Sequence, residues 1–140
     1  MAAQQTDDAR VAALVAAARH MDAVVERVGV PAVAPRDLRL DPGGADPALV
    51  QQLGRALDVR IAPMEEVLEC DASKRCRSTD GSRAGIRILE AELGPSSATV
   101  VLSTWVLWGE GRIYLQVDRL SLSRTSSGWT ITRVERLSET

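Results

Sequence analysis

Between Gly85 and Leu137 the chain carries four apolar-rich runs, Gly85 to Leu93, Ala98 to Trp108, Arg112 to Arg124 and Trp129 to Leu137. The connectors between them are Gly94-Pro95-Ser96-Ser97, Gly109-Glu110-Gly111 and Thr125-Ser126-Ser127-Gly128. A parallel crossover needs about a dozen residues or more, whereas a hairpin closes in about two to five, so successive runs are antiparallel neighbours. The spacing therefore predicts a four-stranded antiparallel meander over about 85–137.

Side-chain order inside these runs adds curvature. Ile113, Leu115 and Val117 share one face of their run, after which Leu120 and Leu122 take the other. Gly85 to Leu93 switches from Ile86 and Ile88 to Leu89, Ala91 and Leu93, and Trp129 to Leu137 switches from Trp129 and Ile131 to Val134. Because strand side chains alternate with a period of two, each change of parity demands a bulge or a strand that bends between two packing surfaces. The expectation is a bent, partly rolled sheet whose two surfaces are each buried along part of their length.

Upstream, Val11, Leu14, Ala18, Met21, Val25 and Val28 recur at spacings of three and four and are followed by Gly29 and Pro31. That pattern predicts one long helix over about 8–28, capped by Thr6 or Asp7, with its stripe laid on the sheet. The stripe lasts only about three heptads, short for a dimerising coiled coil. Residues 1–6 read as a loose tail, leaving 7–140 as one α+β domain. After a Pro- and Gly-rich connection, Asp37-Leu38-Arg39-Leu40-Asp41 alternates as an added edge strand, and Asp46-Pro47 opens a short second helix through Leu57. Pro63 to Leu68 suits a helical turn, its two Glu standing at the N-terminal end.

Charge narrows the class of partner. A formal net charge of -2 gives no electrostatic footprint for nucleic acid, and no apolar run approaches the roughly 20 residues of a membrane span. Lys74 is the only lysine against many arginines, a bias that fits the base composition of a bacterial genome. Cys70 and Cys76 enclose five residues in a polar segment, a loop short enough to close as a disulfide. With an opening Met-Ala-Ala-Gln-Gln that looks like a trimmed mature chain, the pair favours an extracytoplasmic protein over a cytoplasmic one. A zinc site would need two further ligands with His20 as the sole nitrogen donor, so neither metal nor cofactor is expected.

Candidate chemistry is sparse. His20 lies beside the helical stripe with Ala16 and Val24 at i±4, so a boundary residue half in water is expected rather than a base or ligand. A Ser or Cys nucleophile lacks a partner motif. What remains is Asp118, which shares a strand face with Tyr114, Gln116 and Leu120: a general base with a phenol donor nearby. Trp105 and Trp108 leave opposite faces of a strand apolar on both sides, which points to a pocket or a protein interface. Arg75, Arg77 and Arg83 concentrate positive charge ahead of the meander, where guanidinium forks could grip phosphate or carboxylate.

The last hairpin, Leu120-Ser121-Leu122-Ser123-Arg124 through Gly128-Trp129-Thr130-Ile131, resembles the closing hairpin of the nuclear-transport-factor-two-like superfamily, a cone-shaped α+β roll. The motif covers about 98–137, and the element order extends the likeness over the rest. The resemblance implies helices closing a curved sheet, and either an isomerase or dehydratase with Asp, His and Tyr in the cone or a member without catalysis. No catalytic motif of the superfamily maps onto these residues one by one, and a lone histidine departs from its His-dependent members.

These readings converge on a noncatalytic bacterial binding or assembly module whose partner is a small molecule or a protein, a second copy in a homodimer included. The alternative is a small acid–base enzyme using Asp118 and Tyr114 on a hydrophobic molecule. A minor alternative is an anion-binding module built on Arg75, Arg77 and Arg83.

Overall fold

A computed structural model describes residues 8–140 in full and residues 2–7 as the backbone of the opening helix alone; the tail expected over residues 1–6 lies outside the fully described residues. The elements in chain order are α1 (Ala2–Ala18), α2 (Met21–Val28), β1 (Leu38–Asp41), α3 (Pro47–Leu57), β2 (Arg60–Ile61), α4 (Met64–Val67), β3 (Leu68–Cys70), β4 (Cys76–Ser78), β5 (Ala84–Leu93), β6 (Ser97–Trp108), β7 (Arg112–Thr125) and β8 (Gly128–Glu139). Strands β5 to β8 are the expected meander, each antiparallel to the next.

The sheet is larger than the four strands expected. Its order is β2-β1-β5-β6-β7-β8, six strands in all, and β3 with β4 forms a separate hairpin. The strand expected at an edge, β1, lies inside the sheet and pairs parallel with both β2 and β5. Strand β1, helix α3 and strand β2 form a βαβ unit, since the helix supplies the crossover that a parallel pair requires. The Asp46 carboxylate accepts the amide of Ala48 at 3.0 Å, which caps α3 at the expected place.

The long helix is two helices. Neither Gly nor Pro stands at the break; instead the amides of His20 and Asp22 reach back three residues to Ala17 and Arg19 at 3.0 and 3.1 Å, tightening the backbone between α1 and α2. Buried Leu14, Ala17, Ala18, Met21, Val24 and Val25 run on through the joint, which is why spacing alone reads as a single helix. Gly29, at φ 84°, ends α2 where the stop signal stands.

Bulges account for two of the three parity switches. The β5–β6 register slips between Ile88 and Glu90, after which Ala91 and Leu93 face the side that Ile86 and Ile88 faced before. On β8, Thr132 and Leu137 are the extra residues, and Thr132 brings Val134 into register with Leu120. Strand β7 keeps an unbroken register with β6 and packs both its faces. Leu120 and Leu122 join the main core beneath α1, α2 and α3, whereas Ile113 and Leu115 meet Trp105, Val67 and Leu68 on the opposite face. The result is a curved sheet covered by helices on one side and by α4 with the β3–β4 hairpin on the other.

Candidate functional site

Beneath the helices, β7 is polar over its first half. Tyr114, Gln116 and Asp118 occupy alternate positions on the face that continues into Leu120 and Leu122. They form a continuous ladder: the Tyr114 phenol lies 2.7 Å from Gln116 Oε1, and Gln116 Nε2 donates to Asp118 Oδ2 at 2.6 Å. His20 Nε2, at the α1–α2 joint, stands 2.9 Å from the same Asp118 oxygen. At the other end the phenol is 2.8 Å from Glu139 Oε2 on β8, which also accepts from Arg27 of α2 at 3.1 Å and faces Arg136 at 3.3 Å.

Local geometry explains the match. His20 and Arg27 are seven residues apart, two helical turns or about 10 Å of rise, and leave one side of the helix. Asp118 to Tyr114 spans four strand residues, about 13 Å, so the two elements are pinned at both ends. His20 is only 12% exposed in its side chain and Asp118 2%, so the histidine is not the half-hydrated residue expected. Its partner is 98 residues away, beyond anything the i±4 neighbours could reveal. Burial, and then the Glu139 carboxylate, raise the Tyr114 phenol above its ordinary pKa of 10.0, which keeps it a neutral donor. Asp118 Oδ1 and Thr104 Oγ1, on facing strands of the same surface, are buried without a hydrogen-bond partner among the described residues.

A second feature is a cavity of about 300 Å³ between α1, α3 and β5. Leu14, Leu40, Leu49, Val50, Leu53, Ile88 and Leu93 wall it, and Arg10, Asp41, Asp46, Arg87 and Glu90 supply its polar groups. None of the ladder residues lines it. Strand β1 ends opposite Arg87, so from Ile88 onward β5 has a strand partner only on its β6 side.

The remaining candidate residues disperse. Trp105 is 4% exposed and packs with Val67 and Leu68, whereas Trp108 is 37% exposed at the β6–β7 turn with the Arg112 guanidinium 5.5 Å from its ring centre. Arg75 donates to the Glu110 carbonyl at 2.9 Å and Arg77 pairs with Glu69 at 3.0 Å, both on the β3–β4 hairpin. Arg83 lies elsewhere, beside Val30, Pro31 and Trp108. The three arginines do not converge on one point. Cys70 and Cys76 are directly opposed in the hairpin and joined as a disulfide.

No group of acidic, histidine or cysteine side chains among the described residues could hold a metal ion, and no helix there is long and apolar enough to cross a membrane. Comparison with protein families, with curated proteins and with solved structures finds no match.

Proposed function

We propose that this chain is a noncatalytic binding module whose ligand occupies the cavity between α1, α3 and β5. The observation that carries the reading is the lining: a concave space of about 300 Å³, aliphatic within and polar at the rim, is the composition of a small-molecule site. The ladder then serves as a structural clamp, separate from the cavity, that holds the α1–α2 joint and α2 on the sheet. The disulfide supports an oxidising compartment, so the proposal includes a module working outside the cytoplasm. The cone-roll likeness belongs to the same proposal, since paired helices over a curved meander suit a fold that encloses a ligand.

A titration of small aliphatic fragments, followed through the methyl resonances of Leu14, Leu53 and Ile88, tests this. Saturable shifts that vanish in Leu49→Trp, or in the milder Ala45→Leu, are expected. Fragments that leave all three resonances unmoved defeat the proposal.

The second reading is an acid–base enzyme, favoured by the 2.9 Å contact of His20 with Asp118. A catalytic base must come within about 2.6–3.2 Å of the proton it takes, directly or through one water. His20 is the sole histidine, so its acylation by diethyl pyrocarbonate reports access directly. Modification as fast as that of a free imidazole supports the enzyme; protection until unfolding supports the clamp.

A further inference from the structure

We infer that the cavity takes an unbranched aliphatic chain ending in a carboxylate, with Arg87 as the residue that selects the charge of the head group; this rests on the cavity being the ligand site.

The body of the ligand follows from the walls. Leu14, Leu40, Leu49, Val50, Leu53 and Ile88 offer methyl groups and no aromatic ring, so nothing there stacks on a planar heterocycle. At about 30 Å³ for each water-sized group, roughly ten such groups fill the space, its volume being about 300 Å³. That is the size of a medium-length acyl chain.

The head group follows from which rim charges are already committed. Asp41 accepts the amides of Gly43 and Met64, one on each oxygen, at 2.9 and 3.0 Å. Asp46 is engaged at the start of α3 by the Ala48 amide. Both acids are therefore occupied in holding the loops around the cavity. Glu90 is exposed, so solvent and salt screen its opposition to an anion. The Arg87 guanidinium makes no hydrogen bond or ion pair with the described residues, and its stem lies along the β1–α3 loop, where a Cβ on Gly43 would come 2.6 Å from its Nε. Arg87 is exposed like Glu90, but its stem lies along this loop, which sets the guanidinium at the rim, next to the one-sided stretch of β5 whose backbone amides can add hydrogen bonds to a carboxylate.

Calorimetric titration with decanoate, decan-1-ol and decylamine separates the parts of this inference. Decanoate is expected to bind about tenfold or more tightly than the alcohol, as a charge-assisted hydrogen bond provides. Arg87→Met, which keeps the stem, should bring decanoate to the level of the alcohol and leave the alcohol unchanged. Tightest binding of the amine, or decanoate binding that ignores Arg87→Met, overturns the assignment of the head group. Should none of the three bind while aliphatic fragments still shift Leu53 and Ile88, the ligand class is wrong and the cavity remains the site. When the fragments fail as well, both fall together.

Discussion

Trp105 lies directly across from Gly85 in the β5–β6 pair, and a Cβ built on Gly85 would overlap the indole ring. A side chain there would push the largest ring of the second cluster off Val67 and Leu68. Gly85→Ala is expected to lower stability by about 1–3 kcal/mol, the usual effect of overpacking, seen as a lower urea midpoint at unchanged slope. An unaltered midpoint would mean that the ring moves aside freely. A second residue with a large local effect is Arg39, buried on β1, whose guanidinium donates to Asp80 at 2.9 Å and to the Arg36 and Leu38 carbonyls at 2.6 and 3.0 Å. Burial pushes the Asp80 carboxyl up, but hydrogen bonds from Ser82 and the Arg39 guanidinium outweigh it and hold the group well below the usual carboxylate range. A depressed native pKa contributes stability that is complete above the unfolded value, about pH 4, and is lost as the pH falls through the native one. Asp80→Asn should therefore cost about 1.5–3 kcal/mol near neutrality, and the gap from the parent protein should close on acidification below about pH 4. A gap that stays constant with pH would remove the carboxylate from the account.

At the scale of elements, the meander was legible because hairpin connectors and alternating apolar residues are local signals, and its four strands stand within a residue or two of where the spacing puts them. What was illegible depended on distant partners. Strand β2 has two residues and exists because β1 and α3 offer it a place; β3 and β4 likewise form by pairing with each other, where the local pattern gave the end of a helical turn and then a polar segment. The break at Arg19 and His20 leaves the apolar phase intact, so no periodicity could expose it. Asp118 and Tyr114 were legible as residues of one strand face, whereas His20 and Glu139 join them only through tertiary packing. The cavity was invisible for the same reason, being walled by α1, β1, α3 and β5, which only tertiary packing brings together. The clamp makes its own prediction through Tyr114, the single tyrosine of the chain. Its tyrosinate absorbance should develop above the ordinary pKa of 10.0, and Glu139→Gln should move the midpoint back toward it. A raised native value favours the neutral phenol, so this part of the stability holds below the unfolded pKa and fades as the pH climbs through the native one. A midpoint indifferent to Glu139→Gln would detach β8 from the ladder.

Across the whole molecule, the curved sheet is stabilised by two unequal covers. The helical side buries a broad cluster from Ala13 to Leu122, while the other side buries little beyond Val67, Leu68 and Trp105. That smaller cover is a short hairpin tied to the β6–β7 turn by the Cys76 backbone amide donating to the Gly111 carbonyl at 2.7 Å, and tied to itself by the disulfide. Closing so small a loop restrains the unfolded chain by about 2–3 kcal/mol, and the restraint acts where few apolar contacts compete with fraying. Reduction should therefore open the molecule locally, as a unit of low stability peels from one that persists. Thiol titration under denaturant should find no reactive group before reduction and two after, since Cys70 and Cys76 are the only cysteines. Hydrogen exchange should then quicken over residues 68–78, while the amides of Leu102, Val106 and Leu120 keep their protection. If those core amides lose protection in step with the hairpin, both covers unfold in one cooperative event and the smaller one is integral to the main core.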